Sequence, residues 1–343
     1  MLMRECFPFY ASDGFECKLE RVRAAHGTSP RGPVVLVHGA GVRSTIFEPP
    51  VEMTLVRYLA EAGYDVWLEN WRASIDFPPS QWTLDQAAAY DHPAAVRKII
   101  DVTGASTVKA VIHCQGSTSF MLSAAAGLLP QVNVIVSNAV SLHPIIPRIS
   151  KFKIVCCTPL LGCLTPDLNP QWAIEPKTYV QKALVGLVRL THHECDNDVC
   201  KFTSFTYGTG FPVLWRHENL NAVTHEWIRH EFASVPISFF KQMSRSVRAG
   251  QLVGVSHLST LPKYIAAQPA KTQARMVFLT GDKNVCFLPE SQMRTYLFFN
   301  EQRRNFHSFH LLAGYGHLDV FIGQRAAVDV FPIILDELNR PTH

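Results

Sequence analysis

No stretch of this 343-residue chain holds the roughly 18 consecutive apolar residues that a membrane span requires. Charge is also sparse. Asp, Glu, Lys and Arg make up 17% of the chain, the formal net charge is +4, and basic residues are scattered apart from Arg303-Arg304. That distribution argues against a nucleic-acid partner. The start, Met1-Leu-Met-Arg-Glu-Cys-Phe-Pro8, has no apolar segment followed by a cleavage site, so no secretory signal is expected. No Gly-x-Gly-x-x-Gly dinucleotide fingerprint occurs near the start, and no cofactor is expected. Nine cysteines in a chain this long are not the disulfide framework of a small secreted domain. The odd count fits mostly reduced thiols, and a cytoplasmic setting is expected.

Apolar residues, by contrast, make up 47% of the chain, enough for a large core and an apolar pocket. The length suits one large α/β domain with a substantial insertion, or two domains. The most informative stretch is Val108-Lys-Ala-Val-Ile-His-Cys-Gln-Gly-Ser-Thr-Ser-Phe120. Val108 to Ile112 reads as a buried strand, and Gly116 onward to Leu129 reads as a helix. His113, Cys114 and Gln115 therefore fall on a sharp turn that lifts one side chain toward a cleft. Only small residues fit beside such a turn: Gly116 meets that demand, and Ile112 on the other side does not.

Pro33-Val-Val-Leu-Val-His-Gly-Ala-Gly41 reads as a second strand running into a Gly-rich loop. Such a loop lets backbone approach a ligand, and the N–H groups of Ala40 and Gln115 are candidate oxyanion donors. His38, Gly39, Gly41 and His113 are candidates for the binding site around them.

The rest of the chain alternates strand and helix signals. Phe7–Tyr10 and Phe15–Glu20 read as an antiparallel pair at a sheet edge, with Phe15, Cys17 and Leu19 sharing one face. Glu52–Glu61 reads as a helix, Gly63–Glu69 as a strand, and Thr83–Thr103 as a crossover helix with a start signal at Thr83 and a bend near Pro93. Asp91 and His92 within it are expected to serve capping and packing. Val132–Ser137 is a further buried strand.

The pattern then stops. Residues 141–270 carry Pro144, Pro147, Pro159, Pro166, Pro170 and Pro176, with helices expected near 180–190, 221–232 and 237–248. This reads as a mostly helical cap on a core formed by residues 1–140 and 271–343. Its His192, His193, Cys195, Asp196, Cys200, His217, His225 and His230 lack the spacing of a paired zinc knuckle, and His225 and His230 do not share one helical face. Packing, or a loop-closing contact of Cys195 with Cys200, is expected there, and no metal. The sheet resumes with Arg275–Thr280, ends with Phe306–Leu312, and a final helix is expected over 326–338.

In chain order the nucleophile candidate Cys114 precedes Asp282 and Asn284, and these precede His317, which follows Gly316 at a strand end. A thiol has an ordinary pKa near 8.5, so a neighbouring imidazole can hold it as thiolate with less help than serine needs. Asn284 can then orient the imidazole by a hydrogen bond, whereas Asp282 would do more for its basicity. Asp319 more plausibly holds the loop. His26, His38 and His113 are weaker base candidates.

Together, His38-Gly39, Gly63-Tyr-Asp-Val-Trp-Leu-Glu-Asn-Trp-Arg72, Tyr90-Asp91, Pro93-Ala94, Thr103-Gly104, His113-Cys-Gln-Gly-Ser117 and Gly316-His-Leu-Asp319 resemble the acid-lipase and cholesteryl-ester-hydrolase branch of the α/β-hydrolase superfamily. The cap and Leu279–Ser291 look more like the hydrolase-like domain fused to some cholesterol-oxidase-type flavoproteins. The resemblance implies a mostly parallel sheet flanked by helices, and hydrolysis of an ester of a bulky apolar molecule. Cysteine stands where the lipase branch has serine, and Asn284 where that branch places its catalytic Asp. The expected activity is a cysteine-dependent hydrolase of an apolar ester, lactone or thioester through an acyl-thioenzyme. Acyl transfer by the same residues, or a non-catalytic binding role, are the alternatives. A homo-oligomer stays open.

Overall fold

A computed structural model describes residues 2–24 and 29–341; His26 lies outside the described residues. Within them one sheet contains β1 (Leu2–Tyr10), β2 (Glu16–Ala24), β3 (Pro33–Val37), β4 (Asp65–Asn70), β5 (Val108–His113), β6 (Val132–Asn138), β7 (Arg275–Gly281) and β8 (Ser308–Leu312). Their order across the sheet is β1-β2-β4-β3-β5-β6-β7-β8. The β1–β2 and β2–β4 pairs are antiparallel. All remaining neighbours pair parallel.

Parallel strands covered on both faces should be apolar throughout. β3, β4 and β7 are buried at every position, which the Val, Leu, Trp and Phe content permits. β2, between the edge strand β1 and β4, instead alternates at its start, with Cys17 and Leu19 buried and Glu16 exposed. The parallel arrangement brings the carboxyl ends of β3, β5, β6, β7 and β8 to one rim, where such sheets bind ligands.

The expected crossover helix begins at Thr83, whose side chain and that of Gln86 form a reciprocal cap. A π turn over Ala87–Asp91 then absorbs the missing N–H of Pro93 before the helix His92–Thr103. Asp91 and His92 are buried more deeply than a capping role requires. The Asp91 carboxylate accepts from the Arg72 guanidinium at 2.6 and 2.9 Å and from the Arg72 N–H at 3.0 Å. Breaking such a buried pair by removing one partner costs about 3–5 kcal/mol. His92 bridges Glu69 Oε1 and Ser119 Oγ, each at 2.8 Å, and so ties β4 to the helix that follows the elbow.

Between β6 and β7 the chain is mostly helical. The helices Tyr179–Thr191 and Ile237–Ala249 lie close to their expected spans. Ala222–Trp227 is shorter than expected and tightens into a 3₁₀ turn at Ile228–His230. Two further helical runs lie outside the three expected spans. Arg148–Leu164 is helical throughout because Pro147 precedes its first turn and Pro159 follows a π turn over Lys153–Cys157, so neither breaks a needed bond. Asp198–Tyr207 starts on Asn197, whose side chain accepts from the Cys200 N–H. The final helix is split at Val330, since Pro332 favours a fresh first turn over Phe331–Asn339.

Candidate active site

The elbow is formed at the end of β5. Cys114 has φ +55°, a left-handed conformation unusual for a residue with a side chain, and it opens the helix Cys114–Ala125. Close packing enforces this turn. A Cβ on Gly116 would stand 2.1 Å from the His38 carbonyl oxygen, and one on Gly39 would stand 3.0 Å from Cys114 Cβ. Ile112 meets no such conflict and is fully buried in β5, so its size is accommodated.

The Gly-rich loop is fixed from the cap side. Tyr207 donates to the Ala40 carbonyl at 2.7 Å, and the Ala233 N–H donates to the Gly41 carbonyl at 3.1 Å. Gly41 has φ +70°, and a Cβ there would meet Tyr207 Oη and Val235 at 2.4 Å each. With its carbonyl engaged by Tyr207, Ala40 directs its N–H at the elbow, where it and the Gln115 N–H both act on the Cys114 sulfur.

One ligand atom each from His113, Cys114 and His317 lie within 4.8 Å of one another, and all three residues are buried. The His113 and His317 ring centres are 4.8 Å apart. Asn138, at the end of β6, donates to His113 Nδ1 at 2.9 Å and to the His317 carbonyl at 3.0 Å. That bond leaves the His113 proton on Nε2. Asn138 and Tyr207 escaped the sequence reading. For Asn138 the available signal was a polar residue closing a strand at the ligand-binding rim; for Tyr207 there was none, because it reaches the loop only through tertiary packing.

The orienting candidates separate. Asp282 is partly exposed, accepts from the Gly314 N–H at 2.7 Å and pairs with Lys283 at 3.2 Å. Asn284 is buried, and its Oδ1 accepts from the Cys286 and Phe287 N–H groups at 3.1 and 3.2 Å. Both oxygen lone pairs are thereby engaged, and only the Nδ2 amide, buried without a partner among the described residues, is free to act. Neither ring nitrogen of His317 has a hydrogen-bond partner among the described residues. Asp319 accepts from the Gly316 N–H at 2.9 Å and from Asn219 at 2.5 Å, holding the loop.

Burial sets the protonation of the pair. It pushes the Cys114 thiol up to about 12, with the N–H groups of Gln115 and Ala40 pulling the other way. Burial likewise pulls His317 down to about 3. The resting site is therefore a neutral thiol beside a neutral imidazole, unlike the thiolate anticipated from reference values, because no carboxylate among the described residues offsets the desolvation of the ring. A raised thiol stays protonated at neutral pH and ionises only as pH climbs toward about 12. Iodoacetamide labelling of Cys114, followed by peptide mass, should be slow at pH 7 and rise about tenfold per pH unit through pH 10. A plateau already reached below pH 7 would reveal a preformed thiolate–imidazolium pair.

Cys114 and Gln115 open onto a cavity. Its walls are largely apolar and come mainly from the segment between β6 and β7, including Ile154, Leu161, Phe239, Phe240 and Met243. Lys153 is a half-buried lining residue; desolvation lowers it to about 8, and the Gly208 carbonyl accepts from it at 2.8 Å. His38, Gly39, Gly41 and His113 are not on the cavity wall; they stand behind the elbow. His38 Nδ1 meets the Gly39 carbonyl at 2.7 Å, and burial holds its imidazole down at about 4.

No family model matches the chain. It is 23% identical over 349 residues to Lipase member K of Homo sapiens, a match covering 93% of this chain and 83% of that protein. It is 28% identical over 169 residues to Sterol esterase 2 of Saccharomyces cerevisiae, covering 46% of this chain but only 28% of that protein. Among solved structures, a monoacylglycerol lipase of Paleococcus ferrophilus superposes with a TM-score of 0.56 at 15% identity, over 98% of both chains. Strand order, elbow and these matches agree: the chain has the α/β-hydrolase superfamily fold and resembles lipases and esterases.

Proposed function

We propose that this protein is a cysteine-dependent hydrolase of carboxylic esters, lactones or thioesters of bulky apolar molecules. The observation that carries this reading is the left-handed Cys114 on the wall of an apolar cavity, with His317 and the Ala40 and Gln115 N–H groups beside its sulfur. An apolar lining of this kind suits an acyl chain or ring system. The helical run that lines it with Ile154 and Leu161 also exposes Ile149, Phe152, Leu160 and Leu164, which favours apolar substrates further. In this reading residues 141–270 act as the lid.

The cycle begins with Cys114 Sγ attacking the carbonyl carbon as its proton passes to His317. The C–S bond forms, and the Ala40 and Gln115 N–H groups hold the oxyanion; each such donor contributes roughly 3 kcal/mol in the transition state. The bond to the leaving group then breaks as His317 returns the proton to it. Water attacks the thioester, giving its proton to His317; the C–S bond breaks and the departing Cys114 thiolate takes that proton back from His317. Ester and water yield acid and alcohol. Nitrophenyl esters of increasing chain length should be turned over, with a thioester trapped on the Cys114 peptide. Product formed only with an added alcohol or thiol acceptor would instead establish acyl transfer.

With Oδ1 engaged by its own loop, Asn284 has only its Nδ2 amide left to offer the ring, and an amide N–H cannot accept the ring's N–H or stabilise an imidazolium. Asn284→Asp keeps one oxygen for the loop and offers the other to the ring. Turnover is expected to rise roughly tenfold, the equivalent of about one pKa unit of added basicity. Asp282→Ala should change turnover less than about threefold, since its carboxylate serves Gly314. Unchanged turnover in Asn284→Asp, or a large loss in Asp282→Ala, would reverse the assignment.

The nine cysteines, all without a disulfide partner, support a reducing compartment such as the cytoplasm. No described helix is long and apolar enough to cross a membrane.

A further inference from the structure

Outside the active site, Cys195, Cys200, His217 and His225 each offer one ligand atom, and all four atoms lie within 4.8 Å of one another. Cys195 Sγ is 3.5 Å from His225 Nε2, and Cys200 Sγ is 3.4 Å from His217 Nε2. A tetrahedral zinc ion with bonds of about 2.3 Å to sulfur and about 2.0 Å to nitrogen sets sulfur–nitrogen edges of about 3.5 Å. The four residues come from separate places: the loop after Tyr179–Thr191, the helix Asp198–Tyr207, the 3₁₀ turn His217–Asn219 and the helix Ala222–Trp227. Convergence of four soft donors from four elements on one point exceeds what packing asks of them. The sequence reading tested His225 against its neighbour His230; the fold pairs it with His217 instead.

We propose that this cluster is a structural Zn²⁺ site of Cys₂His₂ type. Both cysteines bind as thiolates and release their protons to solvent, and both imidazoles bind neutral, so ion and ligands sum to zero charge. That neutrality suits a half-buried position. The surrounding groups fit thiolate ligation. The Asn197 N–H points at Cys195 Sγ at 3.3 Å, its Oδ1 accepts from the Cys200 N–H at 3.1 Å, and its Nδ2 donates to the His225 carbonyl at 2.8 Å. Trp215 stands near Cys200 with its indole N–H buried and without a hydrogen-bond partner among the described residues.

The site also bears on the active site. The segment from Leu214 to Asn219, which carries His217, is bonded to the loop of His317. The Leu318 N–H donates to the Leu214 carbonyl at 2.7 Å, Asn219 Nδ2 donates to the Gly314 carbonyl at 3.0 Å, and the Gln324 N–H donates to the Asn219 carbonyl at 2.8 Å. Zinc therefore clamps the cap segment against which the His317 loop is set.

The test is metal analysis of the full chain, purified reduced from zinc-supplemented cells and dialysed. One zinc per chain is expected, and reconstitution with Co²⁺ should give the intense visible bands of a tetrahedral site with thiolate charge-transfer absorption. Because a Cys200 variant can fail to fold for packing reasons alone, the less buried His225→Gln carries the comparison; it should fold and bind zinc at least tenfold more weakly. Removing zinc with a chelator should speed hydrogen exchange at residues 314–319. Wild-type protein with less than a tenth of an equivalent of zinc and no cobalt bands, or a Cys195–Cys200 disulfide in protein purified with blocked thiols, overturns the site. Unchanged exchange after zinc removal overturns its link to His317.

Discussion

Replacing Cys114 with alanine is expected to abolish acyl-enzyme formation and lower turnover by about 10⁴-fold or more, since the covalent route disappears with the sulfur. The fold should survive. Alanine accepts the left-handed turn no worse than cysteine, and loss of one buried sulfur atom costs about 1 kcal/mol. Intact mass after incubation with an activated ester should show the adduct in wild type and none in the variant, with melting temperatures within a few degrees. Persistent acylation of Cys114→Ala would remove Cys114 from the nucleophile role. Absence of both adduct and turnover in wild type would leave a binding protein. Cys114→Ser sharpens the argument. An alkoxide needs more help than a thiolate, and His317 has no acceptor to stabilise its charged form. The serine variant should therefore be nearly inactive alone and regain turnover only alongside Asn284→Asp. Full activity in Cys114→Ser alone would break the pairing of cysteine with asparagine.

Gly116→Ala should be among the most damaging single substitutions in the chain, although it adds only one methyl group. Its Cβ would lie 2.1 Å from the His38 carbonyl oxygen and 2.9 Å from Val37 Cγ1, both at the end of β3. Relief requires β3 and the elbow helix to part, yet Val37 pairs with Ile112 just before the elbow. The displacement would also carry the Ala40 N–H away from the reacting sulfur. A loss of roughly 3 kcal/mol in stability, seen as a fall of several degrees in melting temperature, is expected together with loss of turnover. Gly186→Ala is the control. Its Cβ meets nothing within 4 Å, and it lies inside the helix Tyr179–Thr191, so stability should rise by up to about 1 kcal/mol. Wild-type stability in Gly116→Ala would contradict the close approach of β3 to the elbow.

Much of the scaffold was legible because local physics and fold agree there. The β-branched runs of β3, β5 and β6 sit in a sheet covered on both faces, so continuous apolarity meant strand. Thr83 marked a helix start that the structure keeps, with Gln86 closing the cap. The cap was less legible, since proline density hides helices when each proline occupies a first turn, as Pro159 does. The charged cluster at Asp91 and His92 was underread for a related reason: its partners Arg72, Glu69 and Ser119 lie far along the chain.

The sequence by itself determined the strand order's raw material, the glycines that let backbone meet at the elbow, and the residue types available for chemistry at Cys114 and His317. Those are properties of short windows, where periodicity and side-chain size suffice. Only the tertiary structure decided which groups meet. It decided that burial keeps the Cys114 thiol and the His317 imidazole neutral, that the oxygen of Asn284 is engaged by its own loop, and that Tyr207 fixes Ala40. It also gathered Cys195, Cys200, His217 and His225 at one point. Desolvation and ligand geometry depend on what lies across a few ångströms of space, and neighbours in space need not be neighbours in the chain.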